Sequence, residues 1–489
     1  MMKRFSKISI IFLLIVGMFA CELPDNVDPK NPRQVPTKTL LTNAQRYLGD
    51  YVSTQNYNIQ INRFLVRYWT EVTYLTEVRY DFSDRSIPDN WWDVLYRNTL
   101  MDFEEAKKQV NSTTFTEPEY PKRDNQLAII DICQVYTWHL LVETFGNIPY
   151  SNALNPDNSS PAYDDAETIY RGLIDRLSND ISMLTEGAPS FGDADLFYEG
   201  DAGAWKKFAA SLKFRMAMRL ADYDPDYSQE QANAALDAGV FESQDESAIF
   251  KFTSTPPHVH SIYQWFTLDG RSDVVPAKPF VSTLDSLSDP RMDYLVDTTT
   301  GPAQPYAIPV DAYSDVAHFQ SQFFEPDFQH VLSDYVEMEF LKAEAAERGG
   351  YDVSGTAEEH YNNAIEASIK YWGGTLGVDE ATLETQAEDY LDQPEVDYAQ
   401  AGGNWKQKIG LQKWIALYNR GCEAWSSWRV LDYPEFSFNE DMGTLYDQVP
   451  VRYPYPFSES RLNESNYQEA VDAMGGEDTP LVNLFWDVE

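Results

Sequence analysis

The chain has 489 residues, 78 of them acidic and 37 basic, for a formal net charge of −41. A surface that negative repels nucleic acid and anionic lipid headgroups, which excludes both as electrostatic partners. With 43% hydrophobic and 14% aromatic residues it is not a disordered acidic polymer, because that much apolar material can build a large core.

The first predicted element is an export signal over residues 1–20. Lys3, Arg4 and Lys7 give a positive start, and Ile8 to Val16 is apolar apart from Ser9. The run is shorter than the roughly 20 apolar residues a membrane-spanning helix needs. A basic start, a short apolar run and small residues at its end suit a secretion signal. Cys21 follows Met18-Phe19-Ala20, and together they resemble a bacterial lipobox, whose cysteine is lipidated and becomes the mature N-terminus; Ala20 fits well and Met18 more loosely. Residues 21–37 then read as the lipidated cysteine and a flexible tether, with four prolines and five charges between Glu22 and Pro36. One acyl chain binds a membrane only marginally, so stable anchoring rests on the several chains of a mature lipoprotein terminus. Loss of the signal's bases takes the mature chain to a net charge of −44.

Residues 38–489 read as a single body, since no low-complexity linker interrupts them. Helical scaffold is predicted mainly over 38–222 and 334–428, and irregular chain with short strands or helices mainly over 223–333 and 429–480. Leu40, Ala44, Tyr47, Leu48 and Tyr51 lie on one helical face. Ile61, Leu65, Tyr68, Val72 and Leu75 form a second stripe, and Trp92, Leu95, Thr99, Phe103, Ala106 and Val110 a third. Leu127 to Phe145 is apolar nearly all round, which predicts a central helix stopped by Gly146. Stripes follow at Ile169-Leu173-Leu177-Ile181-Leu184 and at Trp205-Phe208-Leu212-Met216-Leu220. Residues 334–348 and 357–372 make a helix pair around Gly349-Gly350, and 405–428 is one more helical region rich in Trp. Glu358 to Ile365 looks like the second helix of a tetratricopeptide repeat, although the full repeat consensus is absent. Paired helices stacked side by side bury one another's faces.

Cys133 and Cys422 remain after Cys21. An exported chain can pair them, but two cysteines so far apart in sequence do not establish a bridge, and Cys133, inside an apolar helix, reads better as a buried thiol.

Six segments, in order along nearly the whole mature chain, carry a family resemblance. They are Glu143 to Ser151, Pro161 to Asp165 with Ile169-Tyr170, Gly200-Asp201 with Trp205 to Arg215, Glu339 to Ala345, Gln412 to Leu417, and Val449 to Pro454 with Asn463 and Tyr467. With the lipobox, they resemble the SusD/RagB family of nutrient-binding outer-membrane lipoproteins, in its SusD-like branch. Ala210 stands where that family often has Asn. The resemblance implies a mostly α fold: a tetratricopeptide-like helix-pair scaffold with an irregular capping region of loops and short elements. It also implies a partner, a SusC-like TonB-dependent transporter over which the lipoprotein sits as a lid.

Capturing a sugar from water takes a flat ring over its apolar face, and amides, carboxylates or Arg on its hydroxyls. Ligand-binding candidates are therefore aromatics outside the regular stripes, interleaved with such polar groups. Tyr74, Arg79, Tyr80, Asp89, Asn90 and Trp91 form one set, at a position where members of the family often carry ligand contacts. Trp92 falls on the following stripe, whereas Trp91 points elsewhere and either meets ligand or packs between helices. Trp265, Phe266, Arg271 and Tyr306 form a second set in the irregular region, with a satellite core under long loops as the alternative.

His258 and His260 would share one side of a strand, but no third ligand accompanies them, so no metal is expected. Asp222, Asp224 and Asp226 mimic the start of a calcium loop; Tyr227 and Asn233 replace its glycine and glutamate, which favours a solvated helix end. No nucleophile elbow, zinc-protease helix or phosphate loop occurs, and no cofactor is called for. The expected function is a non-catalytic, lipid-anchored outer-membrane protein that binds a nutrient, first of all an oligosaccharide, and passes it to the transporter. The alternatives are a surface glycan hydrolase, working through two carboxylates about 5 to 10 Å apart, and a peptide-binding or structural surface lipoprotein.

Overall fold

Spacing of apolar residues and capping side chains account for most of the helices in the structure, a computed structural model that describes residues 35–488. The signal segment 1–20, Cys21 and the tether to residue 34 lie outside the described residues. Helix α1 (Thr37–Ser53) buries Leu40, Leu41, Ala44, Leu48 and Val52, three or four residues apart. Helix α2 (Ile87–Asp93) continues through a π-helical turn, Val94–Leu100, into α3 (Met101–Ser112). The stripe from Trp92 to Val110 is buried throughout. Helix α4 (Tyr120–Phe145) is buried on every side from Ala128 onward and ends at Gly146, whose φ of +86° suits a residue without a Cβ.

Helices α5 (Ala166–Met183) and α6 (Ala202–Arg219) start at aspartates. Asp165 accepts from the Thr168 amide, and Asp201 from those of Gly203 and Ala204. Each satisfies a donor the first turn leaves open, worth ~1 kcal/mol. The later helices are α7 (Pro225–Ala238), α8 (Lys278–Ser286), α9 (Tyr335–Arg348), α10 (Ala357–Gly374), α11 (Glu380–Leu391), α12 (Trp405–Ala416), α13 (Gly421–Leu431) and α14 (Glu464–Ala473). Successive helices pack in pairs, α4 with α5, α6 with α7, α9 with α10 and α12 with α13, giving a tetratricopeptide-like helix-pair scaffold. Helix occupies 54% of the chain and strand 5%, which makes the fold mostly α.

The strands are short: β1 (Trp69–Glu71), β2 (Ile148–Pro149), β3 (Tyr163–Asp164), β4 (Ala248–Phe250), β5 (Val274–Pro276), β6 (Val296–Asp297), β7 (His318–Phe319) and β8 (His330–Ser333). They pair antiparallel in twos, β1 with β5, β2 with β3, β4 with β8 and β6 with β7. The β1–β5 pair ties the irregular region to the chain after α1, while β4–β8 and β6–β7 join segments within that region. Buried side chains from Leu40 to Trp486 form one continuous core, with Val72, Val275 and Val316 as a small satellite.

Four expectations need correction. The stripe Ile61-Leu65-Tyr68-Val72-Leu75 is not one helix: a single turn (Asn62–Leu65) gives way at Arg67, with φ +55°, to strand β1. Residues 61–72 are all buried, and a run buried on every side carries no reliable period. The helical region 405–428 is two helices, parted near Asn419 at φ +68°. Segment 223–333 opens with the regular helix α7, and 429–480 contains α14. Asp224, one of the calcium-like aspartates, caps α7 by accepting from the Tyr227 amide, while Asp222 pairs with Arg348 and Lys406. Cys133 and Cys422 are both buried free thiols.

One contact tests this packing directly. Where α1 crosses β4, a Cβ on Gly49 would stand 2.4 Å from the Phe250 ring. Gly49→Ala is therefore expected to destabilise the protein by ~1–3 kcal/mol through overpacking, read as a lower unfolding midpoint in urea. An unchanged midpoint would refute this approach of α1 to β4.

Candidate ligand-binding surface

The antiparallel ladder between β1 and β5 joins the chain just before Tyr74 to the chain just after Arg271. Trp69 lies opposite Pro276, Thr70 opposite Val275 and Glu71 opposite Val274, and the Val72 amide then donates to the Asp273 carbonyl at 2.9 Å. Tyr74, shortly after β1, has φ +59° and 67% of its surface exposed. Trp265 comes from a π-helical turn, Tyr263–Leu268, and is partly buried.

Trp265 is held from two sides. The Arg271 guanidinium lies over its ring, 4.3 Å from the centroid, and Tyr57 meets it edge-on with centroids 5.3 Å apart. Arg271 is fixed by an ion pair with Asp273, which also accepts from the Tyr57 hydroxyl at 2.7 Å. Arg85 approaches Tyr57 at 5.7 Å from the centroid and pairs with Glu77. An indole locked against a guanidinium and a phenol, with part of its surface facing water, needs no rearrangement to receive a flat apolar ligand face. Tyr57 was not foreseen: it lies in a polar stretch after α1, and only its position off any helical stripe set it apart.

Behind the aromatics, Glu71 and Glu77 are fully buried carboxyls. Burial, and then the neighbouring Glu77, push Glu71 from 4.5 up to about 10, so it is protonated at neutral pH. An acid whose folded pKa lies above its unfolded one leaves the fold most stable below 4.5 and weakens it as pH rises toward the folded value. Glu71→Gln keeps an acceptor for the Val78 amide and removes the titration. It is expected to stabilise the protein more at pH 8 than at pH 5, by ~1 kcal/mol or more, as unfolding midpoints at the two pH values would reveal; an equal effect at both would contradict the protonated state.

Several sequence candidates hold the fold together instead. Trp91 is 1% exposed and donates its indole N–H to Thr144 Oγ1 at 3.3 Å, so it packs between helices. Tyr80 is buried against Tyr306 and Phe438, and Tyr306 is buried with its hydroxyl on the Phe64 carbonyl. Rings enclosed in this way have no free face for a ligand. Arg79 donates to the carbonyls of Met442 and Ala307, Asp89 accepts from the amides of Phe457 and Ser458, and Asn90 donates to the carbonyls of Asn58 and Arg85. These three fasten loops through those bonds. Phe266 is intermediate: half-buried, it meets Phe319 and Phe324 edge-on, the satellite packing weighed as its alternative.

His258 bonds Asp50 at 2.8 Å, while burial and then Arg63 push His260 down to about 3 between Phe252 and Phe328. Among the described residues no three of His, Cys, Asp and Glu converge as a metal site requires.

Comparison with known proteins gives this surface its context. The profile of a SusD-like family described as "Starch-binding associating with outer membrane" matches residues 29–456. A solved structure named as a chitin-binding protein is 25% identical, with a TM-score of 0.79 over 93% of this chain and 100% of its own. A chitin-binding SusD homologue from Flavobacterium johnsoniae is 23% identical, with a TM-score of 0.74 over 93% of this chain and 99% of its own. A SusD-like structure from Bacteroidetes is 20% identical, with a TM-score of 0.80 over 93% of this chain and 100% of its own. No curated protein matches in sequence.

Proposed function

Because the chain belongs to the SusD-like family, we propose that it is a lipid-anchored outer-membrane protein that captures an oligosaccharide at the cell surface. It passes the ligand to a SusC-like TonB-dependent transporter and performs no chemistry on it. The observation that carries this reading is Trp265, partly exposed and backed by Arg271 and Tyr57. Stacking on the rings, with Arg271 and Arg85 near the ligand's hydroxyls, supplies the affinity. Phe266 contributes at the edge of the same surface.

The carboxylates of the cluster support a binding rather than a hydrolytic role. Asp273 is engaged by Arg271 and Tyr57, and Glu71 and Glu77 are sealed from solvent. A glycosidase needs two carboxyl groups open to the scissile bond. Among the described residues no helix is long and apolar enough to cross a membrane; the lipobox-like cysteine Cys21 is the attachment point in this reading. The names of the chitin-binding structural relatives make a β-linked amino sugar polymer the first ligand to try.

The experiment is electrophoresis of the protein lacking residues 1–21 through gels cast with a panel of polysaccharides. Retardation by one polymer, with its chain length unchanged, is expected. Depolymerisation would convert the reading to a hydrolase, and free migration through every gel would refute glycan capture.

A further inference from the structure

A second groove lies between α3, α4 and α5, and no residue of it belongs to the Trp265 surface. One lobe, about 520 Å³, is lined by Trp138, Tyr150, Asn152, Asn155 and Lys108 among others. A second lobe, about 350 Å³, contains Asp180, Asn179 and Met183, and both lobes share Lys107 and Arg176.

The junction of the lobes is built rather than incidental. Arg176 grips Asp131 through Nε and Nη2, each at 2.9 Å, donates through Nη1 to the Tyr150 hydroxyl at 2.8 Å, and reaches Gln134 Oε1 at 3.2 Å. Lys107 pairs with the same Asp131. A guanidinium carries five N–H groups and an ammonium three, so each cation keeps a donor beyond these bonds. Lys108 is held only by Glu104, at 3.7 Å. Three cations therefore face Asp131 and Glu104, an excess of positive charge on a chain whose net charge is −41.

Asp180, 3% exposed, borders the second lobe and lies in hydrogen-bonding contact with Asp131. Burial, and then Asp131, hold the Asp180 carboxyl well above the usual carboxylate range, so it adds no negative charge here. Trp138 and Tyr150, edge-on at 4.9 Å, offer an apolar wall to the other lobe.

We propose that this groove is a separate binding site for an acidic saccharide, with a carboxylate on the cationic side formed by Lys107, Lys108 and Arg176 and its rings along Trp138 and Tyr150. Charge attraction of this kind weakens with salt.

Calorimetric titration with a galacturonate trimer, and with the neutral galactose trimer, tests it at low and at physiological salt. The acidic trimer should bind about tenfold more tightly than the neutral one, and less tightly as salt rises. Lys108→Glu, on the exposed face of α3, and Asn155→Ala, on a surface loop, should each weaken the acidic trimer, Lys108→Glu by about tenfold. Trp265→Ala should leave its binding unchanged. No binding of the acidic trimer to the native protein would overturn the proposal, as would equal affinity for both trimers. Loss in Trp265→Ala with retention in Lys108→Glu would also overturn it, by assigning the ligand to the other surface.

Discussion

Glu337→Ala is expected to lower stability by ~3–5 kcal/mol, the largest single-residue effect anticipated for this protein. Glu337 is fully buried and serves two guanidinium groups. Arg215 meets it with Nη2 2.6 Å from Oε2, and Arg420 pairs with the same carboxylate. Arg420 also holds Asp334 at 2.8 Å, and Arg215 lies 3.5 Å from Glu423, which in turn binds Arg219. The network ties α6, α9, α13 and strand β8 together, since both arginines also donate to the Leu332 carbonyl. Removing the carboxylate leaves two cations in the interior with too few acceptors, and desolvated charge without a partner is among the most costly defects a core can carry. Glu337→Gln should be milder, because it retains an acceptor. The urea midpoint of each variant checks this; a loss under ~1 kcal/mol for the alanine variant would mean that water reaches the network.

Trp265→Ala is expected to weaken glycan binding ten- to a hundredfold, ~1.4–2.7 kcal/mol, with a lower unfolding midpoint but a folded protein. The ring is the rigid part of the proposed surface. Its removal takes away the stacking face, yet Arg271 keeps Asp273 and Tyr57 keeps its hydrogen bond, so the framework survives. Tyr74→Ala should cost less, because that ring is exposed and no other ring fixes it. Titration of both variants with the polysaccharide that retards the native protein gives the comparison. A larger loss for Tyr74→Ala than for Trp265→Ala would move the centre of the site away from Arg271.

The long amphipathic helices were legible because their apolar stripes meet a core on one side only. The capped starts of α5, α6, α9 and α10 went unread, although each has Asp or Thr ahead of the first turn. Helix α7 escaped notice for a physical reason. Its buried residues are Ser228, Ala232 and Ala235, too small to register as a hydrophobic stripe, although Asp224, Pro225 and Gly239 mark its start and stop. Strand β1 was masked by burial on every side.

The candidate site was only partly legible. Composition singled out both loops, but it could not separate a ring that faces water from one that faces the core. Trp91 and Trp265 are alike in sequence context, rich in neighbouring aromatics and polar residues. Only tertiary contacts decide that the first packs on Thr144 while the second rests on Arg271. Asp89 and Asn90 illustrate the same limit, since amides and carboxylates that can bind sugar hydroxyls serve equally well to fasten a loop.

The central claim is tested most directly by running the native protein and Trp265→Ala side by side through gels cast with chitin-derived and other polysaccharides. One polymer is expected to retard the native protein, its chain length staying intact, while Trp265→Ala migrates nearly as it does in a polymer-free gel. Equal retardation of the two proteins would contradict a binding surface centred on Trp265.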